Sequence, residues 1–412
     1  MPNAPLPALV VTALITVALS TPAAAQAEVR DGHLYVDGEP FFAIGLYSVG
    51  MRDLPAVAEA GFNLVHTYSW EGQRTFDDGQ EWLDACQESG LKALAGLYRP
   101  SVKEMDFGGT IERIRTYREH PALLAWHTMD EPGWDDVRDE CLGVAIDGRP
   151  GSEYMPGAYE VCREHDPDHP VTAVFCHFAD PPLFIDSVDI VQADYYCVPP
   201  IPQRNFSGTG FRGVKMFVDK TRQASDGEKP FWFVQQIFDW SVSKEESYEI
   251  PPEWQRGPNR AETRCATYTA VASGARGVLY WSLSRALGSE WHRDSLSRVR
   301  RWQDLVEVVG ELNELMPVLT SAEREVIRTR DHVVAMVKSD GAAVWIIACN
   351  YERKPSDTVL TIPGVRRGTL EMPFRGESAR IVDGALQVHF EPLEARVYRL
   401  RGDQNLELYP ER

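Results

Sequence analysis

Positive charge is what this sequence has least of for its size. Its 412 residues carry 42 Lys and Arg against 61 Asp and Glu, a formal net charge of -19. A field of that sign repels phosphate backbones and anionic lipid, so neither nucleic acid nor a membrane surface is an expected partner. Neutral ligands, sugars among them, meet no such barrier. Cysteine is also sparse: there are seven, none in a C-x-x-C pair, which removes the spacing of a zinc ribbon or a thioredoxin-like centre. No metal or cofactor is implied. The chain has no internal repeat and no low-complexity tract. Beyond the N-terminus it has no apolar run approaching the ~20 residues that span a bilayer.

What is present has the balance of a soluble globular protein, 43% hydrophobic and 25% charged. Its length fits one large domain or two smaller ones. The single long apolar run, Ala8–Ser20, precedes Thr21-Pro22-Ala23-Ala24-Ala25, the small residues of a cleavage site. Residues 1–25 therefore read as a signal peptide, although Met1–Pro7 lacks the usual Lys or Arg. The mature chain is expected to be exported, periplasmic or extracellular. That setting permits a Cys141–Cys162 bridge, whereas Cys176, Cys197 and Cys265 fall in apolar segments and read as buried side chains.

From Phe41 onward, short apolar runs alternate with amphipathic stretches. The runs are Phe41–Tyr47, Phe62–Tyr68, Leu91–Tyr98, Ala122–Met129, Val171–His177, Asp189–Tyr196, Pro230–Gln236 and Arg276–Leu283. Near-continuous apolar strands suit parallel pairing with both faces covered. Eight such units predict an α/β fold, a (β/α)8 TIM barrel over 26–320 with an N-terminal hairpin; a doubly wound sheet is the alternative. From Glu325 the period becomes two, with turns at Asp340-Gly341 and Asp383-Gly384, and 321–412 reads as a small antiparallel β-sandwich.

A barrel places function at the C-terminal ends of its strands. Those ends read His66, Tyr68, Trp70, Tyr98, Arg99, Asp130, Glu131, His177, Asp194, Tyr195, Tyr196, Gln235, Gln236, Trp240 and Trp281. Hydrogen-bonding groups beside flat aromatic faces are what a pyranose ring needs. The acidic pair Asp130-Glu131 directly follows a buried strand, where folding has no use for charge. A carboxyl held against aromatic walls has a raised pKa and can protonate a leaving oxygen. Other signals are weak: Gly208–Gly213 fits G-x-G-x-x-G without its βαβ frame, and reads as a loop entering a helix.

The segment His120–Pro132, HPALLAWHTMDEP, resembles the HPxLLxWxxxNEP signature of clan GH-A retaining glycoside hydrolases. The likeness extends to the first and eighth strands and the C-terminal sandwich. It implies a carbohydrate substrate and makes Glu131 the general acid/base. Two departures stand out. Asp130 replaces the clan's Asn, and Gln236 stands where the clan ends strand seven with a nucleophilic Glu. An amide cannot form the glycosyl-enzyme ester. A second group could come from Asp239 or Glu290. Alternatively, Asp130 could orient a 2-acetamido group in substrate-assisted hydrolysis, with Tyr195 or Tyr196 as donor. A third reading is a carbohydrate-binding barrel without turnover.

Overall fold

Eight short apolar segments close into a parallel barrel in the computed structural model, which describes residues 26–67, 76–97, 107–132, 154–198, 210–238, 256–283, 295–401 and 407–408. An antiparallel sheet comes first: β1 (Ala27–Arg30), β2 (His33–Val36) and β3 (Glu39–Phe41). The barrel strands are β4 (Ala43–Leu46), β5 (Leu64–His66), β6 (Lys92–Gly96) and β7 (Leu123–Asp130). The remaining four are β8 (Val171–Phe175), β9 (Ile190–Asp194), β10 (Phe231–Gln236) and β11 (Gly277–Trp281). β11 pairs back onto β4 and closes the ring.

Each barrel strand is followed by a helix. In order these are α1 (Leu54–Glu59), α2 (Phe76–Glu88), α3 (Gly108–Tyr117), α4 (Tyr154–His165), α5 (Asp180–Phe184), α6 (Arg212–Ala224), α7 (Arg260–Ala272) and α8 (Ser295–Glu314). The strands are apolar throughout because both faces are covered. In β10, Phe231 and Phe233 pack under the helices, while Trp232 and Val234 fill the barrel with Leu64, Leu94, Ile190 and Leu279. Leu34 and Val36 of β2 join that interior cluster, so the hairpin stoppers the barrel. The helices follow the expected stripe: α6 buries Val214, Phe217, Val218 and Thr221.

The sandwich follows. Its strands β12 (Val326–Arg330), β13 (Val333–Ser339), β14 (Ala343–Asn350), β16 (Val365–Met372), β17 (Glu377–Ile381) and β19 (Ala395–Arg401) form one sheet, ordered β12-β13-β14-β19-β16-β17. β15 (Ser356–Thr361) and β18 (Ala385–Phe390) form the facing layer. Period two explains the arrangement. Val334, Met336, Ile347 and Val397 meet the barrel's core, whereas Val333, Ala335, Ile346 and Tyr398 pack toward Leu360, Val388 and Phe390. The turn into β18 uses Asp383 (φ 49°) and Gly384 (φ 78°), the two positive angles a type I′ turn demands.

The two parts are also joined by charge. Glu262, 1% exposed, closes a capping box with Asn259 at the start of α7. It also accepts from Arg256 (2.6 and 2.7 Å) and from Arg353 beyond β14 (2.7 Å). Burial alone would raise this carboxyl, but those donors hold it below the ordinary range. Glu325, just before β12, takes Arg222 at 3.0 Å and Arg276 at 2.8 Å. Among the described residues no helix is long and apolar enough to cross a membrane.

Candidate active site at the barrel mouth

The acidic pair lies at the C-terminal end of β7. Asp130 is in register with Val174 of β8, and the Glu131 N–H donates to the Val174 carbonyl at 2.9 Å. Glu131 has φ 51°, a left-handed backbone that a non-glycine residue adopts at a cost of ~1–3 kcal/mol. The register of β7 slips between His127 and Met129, just below the pair. Such a bulge re-aims the residues beyond it. Both carboxylates remain partly exposed at the mouth.

A third carboxyl reaches them from β9. Asp194 is 3% exposed, and its side chain hydrogen-bonds with Glu131 and with Tyr196. Burial pushes Asp194 up to about 7, and the Asp130 charge adds to the rise against the pull of those hydrogen bonds. Cys176, just after β8, registers the same convergence. Burial raises its thiol, and the charges of Glu131, Asp194, Asp180 and Asp130 raise it further. Three carboxyls from two strands therefore share one partly desolvated corner, and Asp194 holds its proton there well above the ordinary carboxyl range.

Beside them stands an aromatic wall. Trp281 ends β11 and stacks on Tyr196 with ring centres 5.8 Å apart, and Phe238 meets both edge-on at 4.8 and 5.1 Å. Tyr196 and Trp281 keep exposed surface. Lower in the barrel, the rings of Tyr47, His66 and His127 pack together, at 4.7 Å between Tyr47 and His66 and 5.2 Å between the two histidines. The Tyr47 hydroxyl donates to Gln192 at 2.8 Å, and Gln192 donates to Thr172 at 2.9 Å. This polar layer is the floor of the mouth.

The other expected residues divide. His177 is half-buried after β8, where its backbone N–H donates to Asp180 at 3.3 Å. Tyr195 needs correcting: its ring packs outside the barrel against Phe178 and Phe217, tight enough that a Cβ on Gly213 would fall 2.5 Å from its hydroxyl. Residues 194, 195 and 196 alternate, so only Asp194 and Tyr196 turn toward the site. Tyr68, Trp70, Tyr98, Arg99, Asp239, Trp240 and Glu290 lie outside the described residues, as does Cys141. Cys162 is a buried free thiol on α4.

Gln236 stands at the end of β10, as the sequence places it, but its amide is fully engaged. Its Oε1 accepts the Val198 N–H at 3.0 Å, while its Nε2 donates to the carbonyls of Val198 (2.5 Å) and Phe238 (3.1 Å). Gln235 faces the other way, toward α7, donating to the Thr263 carbonyl and accepting from Thr267. Gln236 thus fastens the segment after β9 to the segment after β10. Converting it to the clan's carboxylate would aim lone pairs at two carbonyls. Gln236→Glu is therefore expected to cost about 1–3 kcal/mol at pH 8 and less at pH 5, where a protonated carboxyl can still donate. Urea unfolding at both pH values checks this, and no gain of hydrolysis should accompany it.

Sequence reasoning missed His127, Gln192, Cys176 and Phe238. His127 was hidden by the register slips in β7, at Ala93/Leu94 of its neighbour and again at His127/Met129, which break the period-two count. Gln192 could have been found by counting back two residues from Asp194.

This architecture, a closed eight-stranded parallel barrel followed by an antiparallel sandwich, is the fold of solved glycoside hydrolases. A structure described as a glycoside hydrolase superposes with TM-score 0.62 at 12% identity, covering 92% of this chain and 97% of its own. An α-amylase from Geobacillus thermoleovorans, complexed with acarbose, gives 0.54 at 10% identity, covering 86% and 91%. A GH30 endoxylanase from Clostridium papyrosolvens gives 0.51 at 11%, covering 93% and 100%. No family model and no curated protein matches the sequence.

Proposed function

We propose that this chain is an exported glycoside hydrolase acting on a poly- or oligosaccharide, with Glu131 as general acid/base. The observation that carries the reading is the carboxyl cluster of Asp130, Glu131 and Asp194 beside the Tyr196–Trp281 wall. Tyr196 of that wall neighbours Asp194, so a sugar stacked there would lie beside the carboxyls. Glu131 donates its proton to the glycosidic oxygen as the bond breaks. Asp194, reaching in from β9, is a direct hydrogen-bonding neighbour of Glu131. In this reading it serves as the proton partner of Glu131. Export rests on the apolar run and small-residue ending of 1–25.

For the remaining catalytic group, the commitment of the Gln236 amide removes that residue and leaves substrate assistance, with Asp130 orienting a 2-acetamido oxygen, as one source. A carboxylate from Asp239 or Glu290 is the competing source. The test is a panel of aryl hexosides, uronides and 2-acetamido glycosides beside natural polysaccharides, read by released sugar and by calorimetry. Turnover confined to 2-acetamido sugars supports assistance by Asp130, and turnover of plain hexosides requires a second carboxylate. Binding without turnover of any glycan overturns the enzyme reading in favour of a carbohydrate-binding barrel.

A further inference from the structure

Two thiols meet where the sandwich packs on the barrel. Cys265 lies on α7 and Cys349 near the end of β14, both fully buried and both free, with sulfurs 3.7 Å apart. The Cys349 thiol also points at the Cys265 carbonyl at 3.6 Å, and the Cys265 thiol at the Asn350 carbonyl at 3.7 Å. The Thr269 hydroxyl donates to the Cys349 sulfur at 3.5 Å. Burial would raise Cys349, but the contact with Cys265, the hydrogen bond from Thr269 and the Arg264 charge hold it below the usual thiol value. Burial drives Cys265 the other way. Two free sulfurs already in contact across the seam need little further movement to bond.

We propose that Cys265 and Cys349 are a modification site, closed by a low-molecular-weight disulfide into a covalent bridge between barrel and sandwich. The thiolate of one cysteine attacks one sulfur of the oxidant, forming a mixed disulfide and releasing one thiol. The thiolate of the other then attacks the first cysteine's sulfur and displaces the second thiol. The two cysteines lose two electrons and two protons, and the oxidant leaves as two thiols. Side-chain rotation must bring the sulfurs to the ~2.05 Å of a disulfide, a small movement from contact. Because neither sulfur meets solvent, exchange belongs to folding, before the seam closes. The bridged loop would hold β11, α8, β12 and β13, tying the barrel's last unit to the sandwich. Cys197, whose charge also bears on Cys265, is the competing partner, and it immediately follows Tyr196.

The test unfolds the full chain in urea with reductant and refolds it with reduced and oxidised glutathione. Remaining thiols are blocked with N-ethylmaleimide, and the protein is digested without reduction for mass mapping. The expected product is a Cys265–Cys349 peptide pair lacking two hydrogens. Its thermal midpoint should fall several degrees on adding reductant, a fall absent from Cys349→Ser. Recovery of both cysteines as blocked thiols, or a Cys197–Cys265 link, would overturn the proposal. If refolding yields no soluble protein, the same map is made on chain secreted into an oxidising periplasm. The outcome is independent of whether the barrel mouth hydrolyses a glycan.

Discussion

Glu131→Gln is expected to lower kcat/KM on a natural glycan by about 10²–10⁴-fold, the contribution of a positioned general acid. The amide is close in shape to the carboxyl, so the φ 51° backbone and the hydrogen bond to the Val174 carbonyl should survive. Binding should change little, because the aromatic wall of Tyr196 and Trp281 is untouched. What the substitution removes is a proton, and that loss has a signature no structural defect would imitate. An alkoxide leaving group needs protonation, whereas a dinitrophenolate does not. The deficit should therefore be greatest on natural glycans and shrink as the leaving group of an aryl glycoside becomes more acidic. A deficit of equal size on every leaving group would remove Glu131 from the acid's role. The measurement is Michaelis kinetics over a graded aryl series, with circular dichroism to confirm an unchanged fold.

How much of this was legible beforehand depends on the physics of each element. The barrel and sandwich could be read because burial on two faces and burial in alternation leave different patterns, as β10 and β13 illustrate. The acidic pair on β7 could be read because charge at the end of an apolar strand has no folding purpose. The role of Asp194 could not. It was visible as a strand-end polar residue, but its contact with Glu131 joins β9 to β7 across the mouth, and no local pattern encodes that distance. Tyr195 and Tyr196 look equivalent in sequence, and only the parity of β9 separates the one facing α6 from the one facing the site. Gln236 was correctly located at the end of β10. Its use as a clamp depends on the Val198 backbone, which sequence says nothing about.

Asp194→Asn is expected to make the protein more stable at pH 8 while making it a poorer catalyst. Burial pushes this carboxyl up to about 7, against about 3.9 in an unfolded chain. Between those values the folded protein keeps a proton that the unfolded chain has released. The contribution of Asp194 to stability is therefore greatest below pH ~4, falls as pH rises toward 7, and stays at its lower level above that. At ~1.4 kcal/mol per pKa unit the ceiling is ~4 kcal/mol, and sharing of the charge with Glu131 brings the expected cost to about 2 kcal/mol. An asparagine never ionises, so the variant should regain about 2 kcal/mol at pH 8 and nothing at pH 4, read from urea midpoints at each pH. It can still donate a hydrogen bond to Glu131, but it cannot hold a proton for it. Turnover should drop by about 10–100-fold, and the activity loss expected of the wild type as pH passes about 7 should move or vanish. A gain of equal size at both pH values would mean that packing, not charge, sets the cost of Asp194. A gain confined to pH 8 with unchanged turnover would separate the buried charge from the chemistry and leave Glu131 acting alone. Stability recovered together with activity lost is the combination expected of a carboxyl kept in an unfavourable place for the reaction it serves.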